Sequence, residues 1–278
     1  IMIEKKFGII GKPLSHSLSP LLHNFWFKKY NVSGHYSLIE IEPHEIEEAI
    51  KKIRNNELLG VNVTVPYKQA VIPFLDLIID DAKETSSVNT ISKNKDGKVV
   101  GNNTDVYGLE QGFINKLNNQ NLDQNKVLIL GAGGVAPSVI YALSKKNITQ
   151  ISISNRTAKK AEDIKKKFPY VEIVDWKNIE EAAENIDIII NATSLGLESL
   201  NSFEQKFERI KSNLIYYDII YNPEETKMIK NFKKKGAKTF NGLEMFMYQG
   251  QKSFFIWNRI KPDIDGEAKQ TIAAKLKW

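Results

Sequence analysis

Lys126-Val127-Leu128-Ile129-Leu130-Gly131-Ala132-Gly133-Gly134-Val135-Ala136-Pro137 is the stretch that decides the fold. Residues 127–130 are uninterrupted apolar side chains, the composition of a strand buried on both faces. The next six residues fit G-x-G-x-x-G/A, and a helical pattern opens directly after them. A glycine-rich turn between a buried strand and a helix lets backbone N–H groups approach a pyrophosphate at the helix N-terminus. The plainer reading is a merely tight strand-to-helix turn. Pro137 suits both, because its missing N–H falls in the first helical turn, where that group has no intrahelical acceptor.

The next strand along the chain, residues 150–154, distinguishes between cofactors. A dinucleotide-binding unit specific for NAD usually carries an acid there, about twenty residues past the loop, on the ribose hydroxyls. This chain has Ser154-Asn155-Arg156-Thr157 instead. A carboxylate would repel a 2′-phosphate, whereas Arg156 can bind one through two parallel charge-assisted bonds, so NADP is favoured over NAD. The plain alternative makes Arg156 a surface ion-pair partner. Strand patterns at 150–154, 171–174, 187–191 and 213–219 alternate with helices, which predicts a second parallel sheet in a Rossmann-like NADP-binding domain, residues 105–242.

Upstream, the first hundred residues have the same rhythm. Strands are expected at 6–11, 36–41 and 59–65, and helices at 19–30 and 45–55, the first of them opening on Ser19-Pro20. Residues 88–93 and 98–102 flank Asn94-Lys95-Asp96-Gly97, whose Asp-Gly is a strong hairpin signal. This predicts an N-terminal α/β domain with a mostly parallel sheet ending in a hairpin. A helix at 107–117 and a polar stretch at 118–125 lead into the second domain. The long apolar helix at 243–259 lies outside the second alternation, so it is expected to pack back on the first. The expected domains are thus 1–104, completed by 243–278, and 105–242.

Bulk composition removes several function classes. With 278 residues, 42% of them hydrophobic and 26% charged, the chain is an ordinary globular protein of one large or two medium domains. The absence of cysteine rules out disulfides, thiolate metal sites and cysteine nucleophiles. No apolar run is long enough for a bilayer, and residues 1–6 lack a signal-peptide layout, so a cytoplasmic protein without a membrane partner is expected. The formal charge of +6 comes from lysines scattered among acids on amphipathic helices such as 158–168, which argues against nucleic-acid binding.

The chemistry gathers around Val61-Asn62-Val63-Thr64-Val65-Pro66-Tyr67-Lys68. Pro66 stops sheet pairing, and Lys68 is held just past the end of a buried strand, where ligands of open α/β sheets collect. Three polar clusters accompany it: residues 11–20 with Ser15, His16, Ser17 and Ser19, then Ser87-Val88-Asn89-Thr90, and Gly101-Asn102-Asn103-Thr104-Asp105. Singly, each has a plain explanation, with Ser19 and Asp105 as helix N-caps and Asn89 and Thr90 as strand residues. Together, hydroxyls, amides, one lysine and one carboxylate suit a small polyhydroxylated acid, which needs many directional bonds. His16 and His23 lack a matching ligand cluster and read as packing groups, with no metal expected.

With these residues in view, the chain resembles the shikimate dehydrogenase family over nearly its whole length. The likeness rests on Ser17-Leu18-Ser19-Pro20, Asn62 to Lys68, Asn89-Thr90, Asn103-Thr104-Asp105, the Gly131 loop and Asn155-Arg156-Thr157. It continues through Asn191-Ala192-Thr193-Ser194-Leu195-Gly196, Asp218-Ile219-Ile220-Tyr221-Asn222-Pro223, Gly242-Leu243-Glu244-Met245 and Gln249-Gly250. The resemblance implies NADPH-dependent reduction of 3-dehydroshikimate to shikimate, with a cleft between a substrate domain and an NADP domain. It implies Lys68 and Asp105 as the catalytic pair, and Ser17, Ser19, Thr64, Asn89, Tyr221 and Gln249 as substrate contacts. For the cofactor it implies Gly131, Ala132, Gly133, Gly134, Val135, Ala136, Asn155, Arg156, Thr157, Asn191, Ala192, Thr193, Ser194, Ile219 and Gly242.

Two positions depart from the usual family pattern, Ser86-Ser87 before Val88 and Pro137 where many members carry arginine. The second puts more weight on Arg156. In the expected mechanism protonated Lys68 donates to the developing alkoxide while Asp105 orients it. The rivals are a quinate/shikimate dehydrogenase with mixed NAD and NADP use, a two-domain dehydrogenase of the methylenetetrahydrofolate type, and a catalytically silent NADP-sensing protein. Sequence leaves monomer and homodimer both open.

Overall fold

The computed structural model describes residues 4–117, 122–197 and 202–276. Four residues of the expected polar stretch, 118–121, lie outside that set. The chain divides into two compact units, Ile1–Gly108 with Met247–Lys275, and Leu109–Phe246 with Leu276–Trp278.

The first unit runs β1 (Lys5–Gly11), α1 (Ser19–Lys29), β2 (Gly34–Glu40), α2 (Ile46–Arg54), β3 (Gly60–Val63), β4 (Leu77–Ile78), α3 (Asp81–Thr85), β5 (Thr90–Lys93), β6 (Val99–Asn102) and into α4 (Asp105–Gly112). Its sheet has the order β2-β1-β3-β5-β6-β4. β1 pairs in parallel with β2 and β3, whereas β5 runs antiparallel to both β3 and β6. Because only β5 is reversed, β1, β3 and β6 all end at one edge of the sheet, and β5 begins there. The expected hairpin is present: Gly97 takes φ +78°, and the Asn94 side chain accepts the N–H groups of Asp96 and Lys98. Two-residue β4, paired in parallel with β6, is too short to show a periodicity and was not expected.

Burial follows the period-2 pleat. Phe7 faces Phe27 at 5.2 Å between ring centroids, while Ile10 points to the opposite face and joins Ile46, Ile50 and Ile53 of α2. Those three with Ala49 fall at i, i+3, i+4 and i+7, one stripe of a helix whose other faces are charged. Glu47 and Glu48 stand in its first turn and Lys51, Lys52 and Arg54 in its last, matching the helix dipole.

The second unit runs β7 (Val127–Leu130), α5 (Ala136–Ser144), β8 (Ile151–Ser154), α6 (Ala158–Lys167), β9 (Glu172–Ile173), α7 (Ile179–Ala183), β10 (Ile188–Asn191), β11 (Ile215–Asp218), α8 (Lys227–Lys234) and β12 (Lys238–Phe240). All pairs in its sheet, ordered β12-β11-β10-β7-β8-β9, are parallel. β7 and β10 are adjacent although the chain leaves them in opposite directions across the sheet. This is the topological switch point, outside whose carboxyl ends ligands bind in such folds. β12, three residues at the sheet edge, is a further element that sequence patterning did not reveal.

The chain returns to the first unit through α9 (Leu243–Asn258) and α10 (Gly266–Ala273). Phe254 and Trp257 of α9 close the aromatic face of the sheet, at 5.0 Å from Phe27 and 5.3 Å from Phe7. Lys29 of α1 pairs with Asp265, which caps α10, and with Glu267. His23 is fully buried in this layer, stacked on Tyr36 at 4.4 Å, and among the described residues neither ring nitrogen has a hydrogen-bond partner. Desolvation pulls its pKa down from 6.5 to about 3, so it is a neutral packing ring.

Candidate active site

At the edge where β1, β3 and β6 end, the Lys68 ammonium donates to Asp105 Oδ2 at 2.5 Å, with both side chains nearly buried. Asp105 Oδ1 accepts from Asn89 Nδ2 at 3.0 Å. An ammonium carries three N–H bonds, and among the described residues Asp105 is its one acceptor. Two donors on a buried cation therefore remain for an incoming oxygen, the arrangement needed to stabilise negative charge on a carbonyl.

Asp105 is free for this role because Asn103 does the capping. Asn103 Oδ1 accepts the N–H groups of Asp105 at 2.9 Å and Val106 at 3.3 Å, while its Nδ2 donates to Thr85 Oγ1 and the Ser87 carbonyl. The plain reading of Asp105 as an N-cap is thereby corrected: the ion pair with Lys68 turns its carboxylate away from the helix. Ser19 is likewise not a cap, since it lies inside α1 and its own N–H is accepted by Ser17 Oγ at 3.3 Å.

Behind the pair lies a buried polar layer that sequence reading missed. The Asn89 amide is locked in orientation, because the Thr104 N–H, a donor that cannot reverse, meets Oδ1 at 2.7 Å and leaves Nδ2 for Asp105. Asn62 Nδ2 donates to the Asn89 carbonyl, Thr90 Oγ1 and Ser253 Oγ, while Asn62 Oδ1 accepts the Tyr36 hydroxyl at 2.8 Å. Ser253 also touches Thr90 at 2.8 Å and Thr104 at 3.1 Å. Asn89, Thr90 and Thr104 stand out in sequence as polar clusters, and the polar Asn62 in an otherwise apolar strand is the signal that could have joined them.

The second unit presents the cofactor-type turn. Gly131 has φ +105°, and a Cβ there would lie 2.7 Å from Thr193 Cγ2, so close approach to the neighbouring turn requires glycine. Gly133 is different: its φ is ordinary, and an added Cβ would meet nothing within 4 Å. Its missing side chain leaves open space in front of backbone. The N–H groups of Gly133 and Val135 have no acceptor among the described residues, whereas that of Ala132 is taken by Asn155 Oδ1 at 3.0 Å. Free amides at the start of α5 beside an open cradle fit a pyrophosphate. Arg156 is exposed and makes no ion pair among the described residues.

Residues 9–91 match the shikimate dehydrogenase substrate-binding domain, and residues 114–239 match shikimate/quinate 5-dehydrogenase. A shikimate dehydrogenase (NADP(+)) of Pelagibacter ubique is 45% identical over 265 residues, 95% of this chain and 97% of that one. The chain belongs to the shikimate dehydrogenase family. Among solved structures of the family, the Aquifex aeolicus shikimate dehydrogenase is 35% identical with a TM-score of 0.89, covering 98% of each chain. The Thermus thermophilus enzyme, solved in complex with NADP(H) and shikimate, is 28% identical with a TM-score of 0.85, covering 97% of this chain and 99% of that one.

Within this family member the remaining candidates are placed as follows. Ser17 and Ser19 lie past β1, Thr64 directly past β3, and Gln249 on α9 with Oε1 3.4 Å from Asn89 Nδ2. Tyr221 belongs to the second unit, in the turn after β11, stacked on Phe246 at 4.3 Å. Asn191 closes the turn through Ser194, and Thr157 immediately precedes α6. Gly242 lies so close to the backbone of Ile219 that a Cβ would fall 1.9 Å from its carbonyl oxygen. Among the described residues no group of three or more His, Asp and Glu side chains could hold a metal, and no helix is long and apolar enough to cross a membrane.

Proposed function

We propose that the protein catalyses the reversible NADPH-dependent reduction of 3-dehydroshikimate to shikimate, a cytoplasmic step of chorismate and aromatic amino-acid biosynthesis. The observation that carries it is the buried Lys68–Asp105 pair, held by Asn89 and with two ammonium donors left over at the sheet edge where β1, β3 and β6 end. Ser17, Ser19 and Thr64, on the segments that leave that edge, and Gln249 beside Asn89 are the further substrate contacts of this reading. The first unit binds the substrate and handles the proton. The second holds NADP(H) through the Gly131–Ala136 turn, Asn155 to Thr157, Asn191 to Ser194, Ile219 and Gly242.

NADPH, when bound, supplies the hydride to the substrate carbonyl carbon. As charge grows on the carbonyl oxygen, the Lys68 ammonium stabilises it through its unused N–H groups and then gives up a proton. Asp105 holds the ammonium in place, and Asn89 fixes Asp105 from the other side. In the oxidising direction the same amine receives the hydroxyl proton. Arg156, exposed and without an ion pair among the described residues, answers the cofactor's 2′-phosphate; Tyr221 supplies a further substrate contact.

The match to shikimate/quinate 5-dehydrogenase keeps quinate as a second substrate to compare. The test is the absorbance of NADPH formed from NADP and shikimate, with quinate and NAD as parallel arms. No NADP-dependent oxidation of shikimate would reject the proposal. Faster turnover with quinate and NAD would move the protein to the mixed-specificity reading. A sedimentation measurement separates monomer from homodimer.

A further inference from the structure

We infer that Asp218 is a positioning residue that fixes, through one buried carboxylate, the two turns leaving β10 and β11. The inference rests on the cofactor reading above for its catalytic meaning, but on geometry for its substance. Asp218 is completely buried at the end of β11 and accepts four hydrogen bonds. Asn191 Nδ2 at 3.0 Å and the Ile220 N–H at 3.1 Å meet Oδ1; Tyr216 Oη at 3.1 Å and Thr226 Oγ1 at 2.8 Å meet Oδ2. Among the described residues no basic side chain pairs with it. A carboxylate in this setting survives only because four donors converge on it.

Each partner controls a different segment. Asn191 closes its own turn, with Oδ1 accepting the Thr193 N–H at 3.0 Å and hydroxyl at 2.7 Å, and Nδ2 reaching the Leu195 carbonyl at 3.2 Å. The Thr193 hydroxyl in turn accepts the Leu195 N–H at 3.0 Å. Ile220 starts the turn that carries Tyr221, and its carbonyl receives the Gly242 N–H. Thr226 caps α8 by accepting the Ile229 N–H. Asp218 is the common acceptor for all three, so the turn at residues 191–195, the turn at 219–223 and the start of α8 are set by one side chain.

The donors differ in kind, and this gives a graded test. The N–H groups on Oδ1 cannot reverse, whereas the hydroxyls on Oδ2 can turn and accept. Asp218→Asn keeps an oxygen for the Asn191 and Ile220 N–H groups and leaves only two hydroxyl protons without acceptors. Asp218→Val, close in size, removes every acceptor.

NADPH affinity and amide hydrogen exchange are measured for wild type and both variants, with thermal melts to establish folding. The expected result for Asp218→Val is faster exchange at Thr193, Leu195 and Ile220 and NADPH binding weaker by about tenfold or more. For Asp218→Asn those amides keep their protection, NADPH binding stays within about threefold, and Ile229, behind the weakened Thr226 cap, exchanges faster. Wild-type exchange at all three amides in Asp218→Val, or equal loss in both variants, overturns the inference. Should Asp218→Val not fold, unchanged exchange at Ile229 in Asp218→Asn overturns it equally. Failure of wild type to bind NADPH would reject the cofactor reading while the exchange data still decide the role of Asp218.

Discussion

Replacing His23 by phenylalanine should change how stability depends on pH more than it changes stability itself. In the unfolded chain histidine titrates near 6.5, and burial among Tyr36, Trp26, Phe254 and Trp257 takes the folded value to about 3. A base with a depressed folded pKa contributes stability that is present above the unfolded value and lost as pH falls toward the folded one. At pH 4.5 the loss is two pH units at about 1.4 kcal/mol each, or roughly 3 kcal/mol. Asp218 works in the opposite sense. Its burial, partly offset by four hydrogen bonds, raises its pKa from 3.8 to about 6, so the folded state gains about 2 kcal/mol between pH 6 and pH 4.5. Asp218 and the other carboxylates titrate in both proteins, so the His23→Phe curve should rise relative to wild type by roughly 3 kcal/mol between pH 7.5 and pH 4.5. Phenylalanine keeps the stack on Tyr36, and any misfit shifts all pH values alike, so the slope is the readout. Urea unfolding of both proteins at pH 7.5, 6.5, 5.5 and 4.5 measures it. Parallel curves would show that His23 finds a proton acceptor in the folded protein and would refute the reasoning.

Lys68→Ala should lower turnover by about two or more orders of magnitude while shikimate still binds, since the donor lost is used at the transition state; near-normal turnover would remove Lys68 from the mechanism. Arg156→Ala should raise the KM for NADP by about 10- to 100-fold and leave that for NAD unchanged, as expected for one charge-assisted contact to a 2′-phosphate. Equal shifts for both cofactors would count against that contact. Asn103→Ala should cost about 1–3 kcal/mol in urea unfolding, because it strips the α4 cap and leaves two buried groups without their amide donor. It should also slow turnover by loosening Asp105, and a variant with wild-type stability would restore Asp105 as the cap.

Where a residue's placement follows from chain direction and local chemistry, the sequence was enough to read it. Lys68 past a proline-terminated strand and the Gly131 turn before a helix are cases of this kind. The two misassigned caps fail for a different reason. Asn103 and Asp105 both suit an N-cap within two residues, and only the position of Lys68, 37 residues away in sequence, decides which one turns inward. The Asn62 and Ser253 side chains form a hydrogen bond between segments that share no local pattern, so no periodicity could announce it. β4 and β12 are held by their neighbours rather than by their own composition, which is why strand patterning passed over them.

The Asn62–Ser253 bond also sets an order of events for a chain being made. The two residues are 191 positions apart. A ribosome adding about 5–20 residues each second leaves Asn62 waiting roughly ten to forty seconds for its partner. During that time the whole second unit is synthesised, and Phe7, Trp26 and Phe27 lack the cover of Phe254 and Trp257. The polar layer around Asn62 and Ser253 is thus among the last parts of the protein to be completed, and a nascent chain ending before α9 would display an open aromatic sheet face instead.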